Sequence, residues 1–143
     1  EKEIKSRVEN ALTMVGLEDT GNKMPSDLSG GMRKRAGLAR LIVYKPTIVL
    51  YDEPTTGLDP ITSGQINDLI VKTQKELKST SIVVTHDIRT AIAVGDRLAF
   101  HDKGKIRQIA PIKEFLNMKD GMLEEFFKNA IISEDYMENQ KHD

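Results

Sequence analysis

The sequence predicts an α/β fold with a largely parallel sheet. Two short apolar, β-branched runs carry this: Thr47-Ile48-Val49-Leu50-Tyr51 and Ser81-Ile82-Val83-Val84-Thr85. Each has the length and composition of a strand buried on both faces. Helix-patterned stretches flank and separate them, and that alternation is the mark of parallel strands joined by helical crossovers.

The elements follow in order. Residues 1–15 place Ile4, Val8, Ala11, Leu12 and Val15 at helical spacing with charged residues opposite, which predicts an amphipathic helix. Residues 16–28 gather Gly, Asn, Pro, Ser and Asp without periodicity and read as a loop. Ser29 is the candidate N-cap of a helix running from Met32 to Tyr44, which Pro46 stops. After the first strand, Pro54 to Pro60 forms a turn, and Asp59-Pro60 is an N-cap and N1 pair. The helix it opens, about residues 60–78, turns Ile61, Ile66, Leu69, Ile70 and Leu77 mainly inward. Asp87 caps a short helix ending at Val94, and residues 96–101 and 105–110 pair as a hairpin about Asp102-Lys103-Gly104. Pro111 opens a final helical region in which Leu116, Leu123, Phe126, Phe127 and Ile131 supply an apolar stripe. The tail from Ser133 is acidic and expected to fray.

Composition narrows the chemistry. The 143 residues are enough for one ordinary domain, and 21 basic against 22 acidic side chains leave a net charge of −1. No broad field attracts a polyanion, so nucleic acid is not expected as a partner. The absence of cysteine excludes disulfides, zinc–thiolate sites and thiol nucleophiles. The apolar runs are too short to span a bilayer, and EKEIKSRVEN at the start is too charged for a secretory signal. A first residue of Glu rather than Met points to a fragment.

In parallel α/β sheets ligands bind beyond the carboxyl ends of the strands. Both predicted strands end there in ionisable residues: Asp52-Glu53 after the first and His86 after the second. One carboxylate of such a pair can hold Mg²⁺ while its neighbour orients or deprotonates water, and solvated turn acids are the plain alternative. Leu28-Ser29-Gly30-Gly31-Met32 has the chemistry of an anion site, since glycines behind an N-cap let main-chain N–H groups approach a phosphate. A Ser-capped helix with a flexible first turn explains the same residues. His86 alone is a common structural hydrogen-bonder and gains weight only from its company. The basic run Arg33-Lys34-Arg35, with Arg40 beyond it, reads as a solvated helix face. Gly16 to Lys23 mimics the glycine spacing of a P-loop, but Asn22 takes the lysine position and the segment follows a helix rather than a strand.

Taken together, LSGGM at 28–32, IVLYDEPTTGLDP at 48–60 and VVTHD at 83–87 resemble the second half of an ABC-type ATPase: signature motif, Walker B strand, D-loop and switch histidine, in that order and spacing. The resemblance covers about residues 1–130. Met32 in place of the usual Gln, RKRAGLAR after it, GLDPITS at 57–63 and MKDGMLEEFF at 118–127 are similar to the ATPase subunit of Mla-type and toluene-tolerance phospholipid transporters, which maintain outer-membrane lipid asymmetry.

The resemblance implies a P-loop NTPase, RecA-like fold that is incomplete because its P-loop strand is missing. Residues 1–45 would belong to the helical subdomain, 46–110 to the ATPase core, 111–132 to a carboxy-terminal helical region and 133–143 to the tail. It implies ATP and Mg²⁺, with Asp52 holding the metal, Glu53 as general base and His86 at the γ-phosphate. Ser29, Gly30 and Gly31 would bind the γ-phosphate held by the opposite subunit, and Asp59 would couple the two sites. Expected partners are a second ATPase subunit in a homodimer, a transmembrane permease and accessory subunits, at the cytoplasmic face of the inner membrane. No G-x-x-x-x-G-K-[ST], adenine-stacking aromatic or glutamine loop is identifiable. This chain alone is therefore expected to be inactive, with an unpaired apolar edge beside the His86 strand. Two other readings stand: a non-catalytic partner that lends its signature motif in trans or docks on a permease, and a non-transport ABC ATPase.

Overall fold

A computed structural model describes residues 1–118 together with Gly121, Leu123 and Phe126. The chain divides into two compact units, residues 1–86 and 87–143.

The first unit contains α1 (Lys2–Met14), two 3-10 turns (Glu18–Thr20 and Pro25–Asp27), α2 (Gly30–Tyr44), β1 (Ile48–Asp52), α3 (Pro60–Leu77) and β2 (Thr80–Val84). The strands pair in parallel, with Leu50 opposite Ile82 and Asp52 opposite Val84, so both carboxyl ends finish at one edge of the sheet. Helix α1 packs on α2, and α2 on α3. Ala11, Val15, Leu38, Ile42, Val49, Ile66 and Ile70 are buried and form the apolar interior.

Local chemistry sets the helix boundaries. Ser29 accepts the Met32 N–H through its side chain, and Asp59 accepts the Ile61 and Thr62 N–H groups; each satisfies donors that a helix start leaves over. Both helices end on lysines in the left-handed region, Lys45 at φ 49° and Lys78 at φ 50°, where glycine is the usual residue. The loop expected over 16–28 instead makes two single 3-10 turns, and Leu17 within it is buried. Gly16 takes φ +69° there, so the first glycine of the segment that mimics a P-loop serves a turn.

Three expectations need correction. The strands are buried on one face, not two: Val49 and Tyr51 point inward, while Ile48 (64% exposed), Leu50 (73%), Ile82 (57%) and Val84 (60%) line the other face. Successive side chains of a strand point to opposite faces, and nothing among the described residues covers the second one. Ile61 is exposed because it sits in the first turn of α3, off the stripe that carries Ile66 and Ile70 inward. Ile4 is likewise exposed near the start of α1, where burial begins only at Ala11.

The second unit contains α4 (Ile88–Val94), β3 (Arg97–Asp102), β4 (Lys105–Pro111) and α5 (Ile112–Leu116). Asp87 caps α4, accepting the Arg89 N–H at 3.0 Å and the Thr90 hydroxyl at 2.9 Å. Strands β3 and β4 form an antiparallel hairpin, and Lys103 (φ 46°) and Gly104 (φ 75°) make the two-residue turn whose twist suits one. Leu98, Ala110, Phe115 and Leu123 form this unit's core, with Phe100 set edge-on to Phe126 at 5.4 Å. Phe127, Ile131 and the acidic tail lie outside the described residues.

Candidate functional site

The carboxyl ends of β1 and β2 bring Glu53 and His86 together. Glu53 follows Asp52 directly and turns the chain out of β1 with φ 46°, while its N–H donates to the Val84 carbonyl at 2.9 Å. A non-glycine residue in that region costs on the order of 1–3 kcal/mol, so neighbouring contacts must hold it there.

Those contacts converge on both ends of the residue. Glu53 Oε1 accepts the His86 main-chain N–H at 3.0 Å and faces His86 Nδ1 at 2.9 Å. Glu53 Oε2 accepts the Thr56 hydroxyl at 2.9 Å and the Thr85 hydroxyl at 3.3 Å. The Glu53 carbonyl accepts Lys34 Nζ at 2.9 Å and the Thr56 N–H at 3.4 Å. The hydrogen bond from the His86 side chain is the largest of several that lower the Glu53 pKa from its ordinary 4.5, against an opposing push from partial burial.

Glu53 is thus ionised at neutral pH and a base in its resting state. A carboxylate offers about four acceptor positions, and four donors already face this one. Taking a proton from water requires one to give way, and the Thr85 contact, at 3.3 Å, is the longest.

Asp52 ends β1 as an exposed carboxylate. Among the described residues no group of three or more His, Cys, Asp or Glu side chains stands ready to hold a metal.

The first turn of α2 meets the turn before α3. Gly31 lies where a Cβ would come within 2.9 Å of Thr62 Cγ2, so a side chain there would require the Thr62 methyl or the backbone to shift. At Gly30 the nearest atom to such a Cβ, Leu58 Cδ2, is 3.7 Å away, an ordinary contact. Gly31 therefore has a packing role at this contact. Asp59 gives both carboxylate oxygens to its own helix: Oδ1 to the Ile61 and Thr62 N–H groups and Oδ2 to the Thr62 hydroxyl. These bonds, the Thr62 hydroxyl first, hold its pKa below 3.8.

The basic run is not a solvated face throughout. Arg33 donates to the Leu28 carbonyl, Lys34 crosses to Glu53, and Arg35 donates to Gln65 Oε1 at 2.8 Å. Helical spacing sends adjacent side chains in different directions, so a contiguous charge run cannot share one environment. Sequence reasoning also missed Thr56 and Thr85, although each sits within or beside a quoted motif. Hydroxyls three residues after Glu53 and one before His86 were the available signal.

Comparison with known proteins places these motifs in context. The ABC transporter family matches residues 1–56. A probable amino-acid ABC transporter ATP-binding protein of Sinorhizobium fredii is 40% identical over 131 residues, 91% of this chain and 51% of that protein. A glutamine transport ATP-binding protein of Geobacillus stearothermophilus is 44% identical over 82% of this chain and 48% of its own length. A methionine import ATP-binding protein of Carboxydothermus hydrogenoformans is 38% identical over 96% and 41%, respectively. The chain spans about half the length of the curated relatives it matches. Among solved structures, cbiO1 of Clostridium perfringens, part of the ABC transporter complex cbiONQ, superposes with a TM-score of 0.75 at 36% identity. That match covers 86% of this chain and 49% of cbiO1. A nucleotide-free ATP-binding cassette from an ABC transporter gives a TM-score of 0.79 at 20% identity, over 89% and 51%. The α/β architecture is the ABC ATPase fold, present in part.

Proposed function

We propose that this chain, a relative of ABC transporter ATP-binding subunits, is the portion of such a subunit that carries the signature helix, the catalytic carboxylates and the switch histidine. The observation that carries the reading is the pairing of Glu53 with His86 at the joined strand ends.

Glu53 acts as the general base toward the water that attacks the γ-phosphate of ATP; its lowered pKa keeps it ionised, and the Thr85 contact is the one to release. His86 holds and orients the Glu53 carboxylate through Nδ1, and by the resemblance of its motif it would contact the γ-phosphate. Asp52 would hold Mg²⁺, which when bound neutralises charge developing on the phosphate oxygens. Ser29, Gly30 and Gly31 start α2 with main-chain N–H groups suited to a phosphate carried by a second subunit, and Asp59 fixes the turn that faces it. Because each subunit supplies only part of each site, the active form is a dimer seated on a transmembrane permease at the cytoplasmic face of the membrane. No described helix is long and apolar enough to cross a membrane by itself. With no P-loop to supply the main phosphate contacts, the chain alone is inactive.

For the cargo, the wording around Met32, RKRAGLAR and GLDPITS supports a phospholipid. The relatives support a second reading, import of an amino acid, since theirs are named for amino-acid, glutamine and methionine transport. ATPase assays on the assembled transporter separate the two. Stimulation by phospholipid presented in vesicles, with none by amino acids and their binding protein, fits the first; the reverse response overturns it.

A further inference from the structure

We propose that Lys34 is a positioning residue for Glu53: its ammonium group, held on the Glu53 carbonyl, keeps that residue in the left-handed backbone state that aims the carboxylate at His86. The inference rests on the reading of Glu53 as the base, and it concerns a side chain outside every motif of the site.

Three observations carry it. Glu53 is not glycine yet takes φ 46°, a conformation its own side chain disfavours. Lys34 Nζ donates to its carbonyl at 2.9 Å from a different element, 19 positions earlier in the chain. The carbonyl is also tied within the turn by the Thr56 N–H, and Thr56 uses its hydroxyl on the Glu53 carboxylate. Rotation of the 53–54 peptide would therefore break the Lys34 and Thr56 contacts together. A hydrogen bond from a charged donor is stronger than a neutral one, and Lys34 is half-buried, so water competes less for it.

The contact also has a direction. Lys34 lies one turn beyond Gly30 on α2, the helix whose start is read as the phosphate-binding signature. A small shift of α2 is felt at the Glu53 carbonyl of the same subunit. Lys34 thus links the state of the signature helix to the base of its own site.

The test compares Lys34→Met, Lys34→Arg and Glu53→Gln in the ATP-binding subunit containing this chain, assembled in its complex. Lys34→Met is expected to lower kcat about tenfold or more with KM for Mg-ATP within about twofold, and Lys34→Arg to regain most of the rate. If Lys34→Met does not fold, Lys34→Gln, which keeps a polar group but loses the reach, is expected to fold and to show the same loss of kcat with KM for Mg-ATP retained. An unchanged kcat in Lys34→Met, or a loss that Lys34→Arg does not restore, beside a Glu53→Gln protein that has lost turnover, overturns this inference and leaves the base assignment standing. Full turnover in Glu53→Gln overturns both.

Discussion

Glu53 and His86, 33 positions apart, are joined twice: one carboxylate oxygen faces both the main-chain N–H and the ring Nδ1 of the histidine, at 3.0 and 2.9 Å. The parallel pairing of β1 with β2 makes this possible, because it ends both strands on the same side. The two residues therefore report on the fold and on the chemistry at once.

Acid stability is the first consequence. A carboxyl whose pKa is lowered by folding adds stability that is complete above its unfolded pKa, 4.5 for Glu53, and is lost as pH falls through the depressed folded value. Denaturant unfolding measured from pH 7 to pH 3 should show a shallower acid limb in Glu53→Gln than in the parent chain. Parallel limbs would mean that the histidine contact does not bias the carboxylate.

Tyr51 offers a test of packing beside the site. Its ring is buried, its hydroxyl finds no hydrogen-bond partner among the described residues, and burial raises its pKa above 10.0. An unsatisfied buried donor costs about 1–3 kcal/mol, so Tyr51→Phe should be neutral or stabilising by up to about 1 kcal/mol in equilibrium unfolding. Destabilisation by a similar amount would show that the hydroxyl has a partner.

The open face of the sheet gives a third prediction. Ile48, Leu50, Ile82 and Val84 form a contiguous apolar patch, and among the described residues the two strands pair only with each other, each leaving its outer main-chain edge unpaired. The isolated chain should self-associate, and Leu50→Thr with Ile82→Thr should raise the monomer fraction in sedimentation velocity with little change in thermal stability. An equal monomer fraction would show that the patch is not the associating surface.

Much of this was legible in the sequence because it depended on local chemistry. Ser29, Asp59 and Asp87 cap their helices because short polar side chains reach N–H groups two or three residues ahead. The strand ends gathered Asp52, Glu53 and His86 for a topological reason that alternation alone supplies. Burial of both faces of β1 and β2 was not obtained, since an apolar run states what a strand can bury and not what is there to cover it. Lys34 was hidden for a different reason: a charge run hides the fact that each side chain leaves the helix in its own direction.

The central claim, that Glu53 is the base of an ATP-hydrolysing site, is tested most directly by single-turnover hydrolysis of Mg-ATP in the assembled ATP-binding subunit carrying Glu53→Gln. Gln keeps the shape and one acceptor oxygen but cannot take a proton, so the hydrolytic rate is expected to fall about 10²–10⁴-fold with ATP binding retained. Hydrolysis at the parent rate would contradict the assignment.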